Sequence, residues 1–267
     1  KKFLHQLVTG QLDMDRLDYL KRDSFFTGVT EGVIGSDRII KMLNVSNDEL
    51  VVDIKGIYSI EKFLIARRLM YWQVYLHKTV VSAENLLIMM LKRAKELRIK
   101  GEELFAPPSL DFFLKNKLQR NDFRNESRNE ILDRFAGLDD ADIICAAKQW
   151  ANIKDPVLSY LCKSFVNRHL PRTEISKKPF EKSRIEELEQ RLIDQLNIEE
   201  KYRHYFIHTG ELTNNLYSSF DEKIKILKKN GDIQEITEAS DLFDLRALSI
   251  PVKKYYLTYP KELDYFV

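Results

Sequence analysis

The stretch Gln11-Leu12-Asp13-Met14-Asp15-Arg16-Leu17-Asp18-Tyr19-Leu20-Lys21-Arg22-Asp23 sets four carboxylates and three cations into thirteen positions whose leucines keep the spacing of a core helix. Leu4, Leu7, Val8, Leu12, Leu17 and Leu20 predict helix through residues 1–24. On such a helix Asp15, Tyr19 and Asp23 stand at i, i+4 and i+8 and share one face. That face offers a hard oxygen ligand suited to a divalent metal, a flat phenol and a second acid. Arg16, beside Asp15, is placed to hold a phosphate oxygen. The competing reading is a solvated, salt-bridged helix face, which is what runs of mixed charge usually are.

A second constellation lies in Arg67-Arg68-Leu69-Met70-Tyr71-Trp72-Gln73-Val74-Tyr75-Leu76-His77-Lys78. At about 100° per residue, Arg67, Tyr71, Tyr75 and Lys78 fall within about 80° of one helix face. Two cations and two tyrosines make a poor core face and a good wall for a triphosphate and a sugar, because an Arg fork pairs with phosphate oxygens and Lys acts as a point charge. The bland alternative is an aromatic packing seam with snorkelling ends.

The first run resembles the segment that supplies the last aspartate of the HD motif in deoxynucleoside triphosphate triphosphohydrolases, D-x-D-[KR]-x-D-Y-x-x-R-D. The second resembles the same family's Arg followed eight residues later by Tyr-x-His-Lys. Tyr71 stands where the best-known members carry a His. A weaker likeness continues through Gly137–Ile143 and Leu248–Lys261. The resemblance implies a metal-dependent hydrolase, close to the dGTPases, that releases triphosphate from (deoxy)nucleoside triphosphates. It implies Asp15 as a ligand of a divalent ion (Mg, Mn, Fe, Ni or Zn), with Arg16, Tyr19, Asp23, Arg67, Tyr71, Tyr75, His77 and Lys78 lining the substrate site. It also implies a homo-oligomer. The His and the His-Asp pair that complete such a metal site are expected upstream of Lys1, since the chain holds no His-Asp dipeptide and opens like the middle of a helix. The alternative is a non-catalytic nucleotide-binding regulatory or oligomerisation protein on an HD fold.

Around these runs the sequence predicts a mainly α protein, an HD-type helical body with a small C-terminal α/β appendage. Residues 1–170 would be the body, 171–182 a linker and 183–267 a small α+β domain. A helix from Ser59 to about Leu97, capped by Ser59, is the longest expected, unbroken or broken near Ser82. Further helices are expected over Ser109–Lys117, Ser127–Phe135, Asp139–Ala151 and Asp155–Asn167, with Asp139, Asp140 and Asp142 as cap and first-turn acids. Ser183 and Glu186 form a capping-box pattern for Ser183–Leu196. Leu50–Ile54, Tyr202–Thr209, Ile224–Lys228, Ile233–Ile236 and Val252–Thr258 read as strands, with Asn230-Gly231 as a hairpin turn.

The 43 basic and 41 acidic residues nearly cancel, leaving no concentrated basic surface for nucleic acid, which is not an expected partner. There is no apolar stretch of the ~20 residues needed to span a bilayer, so no membrane association is expected. Cys145 and Cys162 have no metal-type spacing and are expected as buried thiols in a reducing cytoplasm. His204 and His208, in a segment read as strand, would stand about 13 Å apart and are not expected to share a metal.

Overall fold

A computed structural model of the chain describes residues 1–124, 128–214, 223–241 and 252–264. In chain order its helices and strands are α1 (Lys2–Thr9), α2 (Met14–Thr27), α3 (Ser36–Met42), β1 (Leu43–Ser46), β2 (Glu49–Asp53), α4 (Ile57–Met70), α5 (Lys78–Ile99), α6 (Pro108–Lys115), α7 (Arg128–Ala136), α8 (Asp140–Trp150), α9 (Pro156–Val166), β3 (Arg172–Ser176), α10 (Lys182–Leu196), β4 (His208–Asn214), β5 (Lys225–Leu227), β6 (Ile233–Glu235), α11 (Ile236–Ala239) and β7 (Val252–Tyr259). The protein is mainly helical, with two small sheets. No described helix is long and apolar enough to cross a membrane. The start of the expected Ser127–Phe135 helix and the Leu248–Pro251 part of the C-terminal likeness lie outside the described residues.

The chain divides into two compact units. One comprises Lys1–His77 and Glu211–Lys254, the other Lys78–Gly210 and Tyr255–Val267.

In the first unit, Leu12, Leu17 and Leu20 pack with Ile60, Phe63, Leu64 and Met70 of α4 and with Val52, Ile226 and Ile236. Its sheet runs β1-β2-β5-β6. The β1–β2 hairpin turns on Asn47 and Asp48, both with positive φ (51° and 60°), which suits a tight turn between antiparallel strands. Sequence reading found β2 but not β1. Asn230-Gly231 closes the β5–β6 hairpin as expected, Gly231 taking φ 90°.

In the second unit, α5 buries Leu86, Met89, Met90, Ala94 and Leu97 against Trp150, Val157, Leu158 and Leu161. The Trp150 indole donates to the Phe105 carbonyl at 2.8 Å. Asp155 caps α9 by accepting from the Leu158 N–H at 2.7 Å and also pairs with the buried Arg93 at 2.6 Å. Asp139 and Asp142 make a complete capping box at the start of α8, the structural role expected of these acids.

Several expectations change. The helix foreseen from Ser59 to Leu97 is two helices, and the break falls at Leu76–His77 rather than near Ser82. Ser59 caps nothing, because α4 already begins at Ile57. The Ser183–Glu186 box is not made, since α10 starts one residue earlier with Glu181 at its N-cap and no side-chain cap bond. Glu200–Tyr205 coils into a 3₁₀ helix instead of a strand, and Arg172–Ser176, within the stretch expected as linker, forms β3. Cys162 is buried, but Cys145 is exposed, because α8 turns Ala146, Ala147 and Trp150 inward and leaves position 145 off that stripe.

Candidate active site

The site is built in the first unit where α2, the end of α4 and the turn after α4 meet. Residues 1–24 are not one helix. The chain breaks at Gly10 and restarts with Asp13 as the N-cap of α2, its carboxylate accepting from the Arg16 N–H at 2.7 Å. The Arg16 guanidinium bonds back to the same carboxylate and to the Gly10 carbonyl. Arg16 thus locks the corner between α1 and α2. From Met14 to Thr27 the helix is continuous, so Asp15, Tyr19 and Asp23 do share a face. Asp15 is exposed in the first turn, and Tyr19 and Asp23 are half-buried.

The second constellation is shaped by a π-helical turn over Tyr71–Tyr75, closed by a 2.7 Å bond from the Leu76 N–H to the Tyr71 carbonyl. Single π turns recur at functional sites because they re-aim side chains without ending the helix. Three contacts to the first unit hold this one. The Tyr75 hydroxyl donates to Asp23 Oδ2 at 2.6 Å, Gln73 donates to Glu31 at 3.0 Å, and Lys254 sits 3.8 Å from the Trp72 ring centroid. The rings of Tyr19 and Tyr75 meet edge-to-face at 5.8 Å, and those of Tyr71 and Tyr75 at 5.3 Å.

Arg67, in the last turn of α4, is buried at 7% exposure. It donates to Gln11 Oε1 at 3.2 Å and lies 5.8 Å from the Tyr71 ring. Burial raises the Tyr19 phenol above its ordinary pKa, with Arg67 pulling the other way. Burial raises Tyr75 further, reinforced by its bond to the Asp23 carboxylate. Both phenols are therefore neutral hydroxyls over the whole working pH range.

The structure thus gathers Tyr19, Asp23, Arg67, Tyr71 and Tyr75 into one cluster, with Arg16 bracing its base. His77 and Lys78 are both exposed; His77 sits in the break, and Lys78 opens α5 and the second unit. The π turn and the break at Leu76–His77 reset the helix phase, so residues 67–78 do not form one continuous helix. Gln11, the partner of Arg67, and Gln73 were not singled out by sequence reading. The break that places Gln11 was legible as Thr9-Gly10 followed by an Asp three residues before Arg16, a stop signal followed by a cap.

Among the described residues no group of three or more His, Cys, Asp or Glu could hold a metal ion. Catalytic ions take several protein ligands and keep positions open for water. Asp15 by itself does not fit one.

Residues 34–114, from the residue before Gly35 into the last turn of α6, match the family described as HD associated region. A phosphohydrolase from Bacteroides thetaiotaomicron has a crystal structure that superposes with a TM-score of 0.90 at 54% identity, covering 97% of this chain and 64% of that one. The chain thus carries an HD-associated region and is similar in fold and sequence to a protein named a phosphohydrolase. The chain is also similar to the uncharacterized protein YwfO of Bacillus subtilis, 31% identical over 265 residues, which are 96% of this chain and 57% of YwfO. A hypothetical protein from Aquifex aeolicus has the same fold, with a TM-score of 0.63 at 26% identity over 98% of this chain and 58% of that one. The chain therefore spans about three-fifths of the length of these relatives.

Proposed function

We propose that the first unit holds the substrate of a metal-dependent HD phosphohydrolase acting on nucleoside triphosphates, deoxynucleotides among them. The observation that carries the reading is the joining of two separate motif runs, 56 positions apart at Gln11 and Arg67, into one cluster of an arginine, a carboxylate and three tyrosine rings. Arg67 offers a fixed fork for phosphate oxygens. Tyr19 and Tyr71 supply flat walls suited to a sugar. Asp23 uses Oδ2 for Tyr75, and its second oxygen is available for a sugar hydroxyl. Metal dependence, the release of whole triphosphate, and phosphate contacts from Arg16, His77 and Lys78 follow from the family resemblance. The residues gathered here bind and orient substrate.

The test is to incubate the protein, at its natural full length, with Mn²⁺ or Mg²⁺ and each dNTP in turn, then separate the products. Inorganic triphosphate and nucleoside in equal amounts are expected. Orthophosphate or pyrophosphate as the sole product would replace the proposed reaction with another phosphohydrolase step, and no turnover of any dNTP would end it.

A further inference from the structure

The second unit contains a cleft of about 820 Å³ on the side of α5 that faces the 3₁₀ helix and the start of β4. This volume lies within the range of small-molecule sites. One wall is basic. Lys92 and Lys95 stand one turn apart on α5, Lys117 faces the same space, and none of the three takes part in an ion pair among the described residues. The one acid of the lining, Glu96, is already paired with Arg93 at 3.3 Å.

The opposite wall is aromatic and apolar. Tyr256 bonds Asn85 at 3.3 Å, and its ring lies so close to Gly210 that a Cβ there would sit 2.6 Å from it, so this wall depends on the glycine. Tyr205 is buried at 2% exposure, yet its hydroxyl has no partner in hydrogen-bonding geometry, with Arg93 and Glu96 as its charged neighbours. A buried hydroxyl left without a partner is unfavourable, and an occupant of the cleft that bonds it removes that cost. His208 lines the same space. Burial first, then repulsion from Lys92 and His204, holds its imidazole down at about 4, against a backbone hydrogen bond at Tyr205 that works the other way.

We propose that this cleft binds a phosphomonoester with a flat apolar body, the dianion held by Lys92 and Lys95 and the body lying against Tyr205, Tyr256 and Ile207. A carboxylate would neutralise one lysine and leave the others facing each other, whereas a phosphate dianion answers two. The site lies wholly in the second unit and is separate from the tyrosine cluster of the first.

The test uses benzylphosphonate, whose C–P bond is not a phosphoester, titrated into the full chain with ¹⁵N-histidine spectra as one readout and calorimetry as the other. Saturable binding is expected, weakened at least tenfold by the double substitution K92A/K95A, with the His208 pKa rising when the dianion is bound. Both lysines project from one helix surface, and unchanged thermal unfolding of the double variant checks its folding. The proposal is overturned if binding does not saturate, if K92A/K95A binds as well as the parent chain, or if benzoate binds as tightly as benzylphosphonate.

Discussion

Tyr75 donates its hydroxyl proton to Asp23 across 52 positions of sequence, at 2.6 Å, and so ties the π turn to the last turns of α2. The bond orients both residues: the phenol cannot swing out, and the carboxylate presents its other oxygen. Hydrogen bonds to a charged acceptor contribute about 1.5–3 kcal/mol, with the lower end fitting a half-buried pair. Tyr75→Phe keeps the ring contacts to Tyr19 and Tyr71 and loses only this bond. A stability loss of about 1–2 kcal/mol is expected in denaturant unfolding, and an unchanged midpoint would show that the bond adds nothing.

Arg67 tests the substrate reading. Arg67→Lys retains the charge but not the planar fork, so it should weaken nucleoside triphosphate binding by about 1–3 kcal/mol, roughly five- to 150-fold in Kd or KM. Nucleoside without phosphate should bind both proteins equally. A matching loss for the bare nucleoside would assign Arg67 a packing role instead.

The second unit rests on Trp150, which is fully buried. Trp150→Ala should cost about 3–5 kcal/mol by opening a cavity. Trp150→Phe should cost less, yet remain unfavourable because the Phe105 carbonyl loses its indole donor. Calorimetric unfolding of the two variants should rank them in that order.

His208 predicts a pH dependence with a definite sign. Its folded-state value of about 4 lies below the ordinary 6.5, so the unfolded chain takes up the proton first. Stability associated with this residue is fully present above pH 6.5 and is lost as the pH falls from 6.5 toward 4. His208→Asn should flatten the stability profile in that window. A profile as steep as the parent's would remove His208 as its source.

Much of this was legible from residue patterns, and the failures share a physical cause. Apolar periodicity located α2, and cap and proline signals located the helices of the second unit, whose buried stripes hold them together. The two runs stood out because each carries charged and aromatic residues at fixed helical spacing, whereas the Tyr75–Asp23 bond that joins them is seen only in the fold. Periodicity could not show the π turn, since Tyr71–Tyr75 contains no glycine or proline and its letters suit an α-helix equally well. It could not show that Gln11 would meet Arg67, a contact decided by where α1 stops. Tyr202–Tyr205 has the aromatic content of a strand, but Tyr202 and Tyr205 instead stack on Arg93, an ion that only the tertiary fold brings there. Cap chemistry was right at Asp139 and wrong at Ser183, where the competing start at Lys182 took over.

The π turn also makes chain length itself a carrier of specificity. Each added residue advances a helix by about 100°, so removing one position from Tyr71–Tyr75 would return the segment to α phase and swing every later side chain to a new bearing. Tyr75 would keep its name and its neighbours in sequence, and lose Asp23. Two homologues with the same tyrosines but a one-residue difference in this turn would then present different walls to the same molecule.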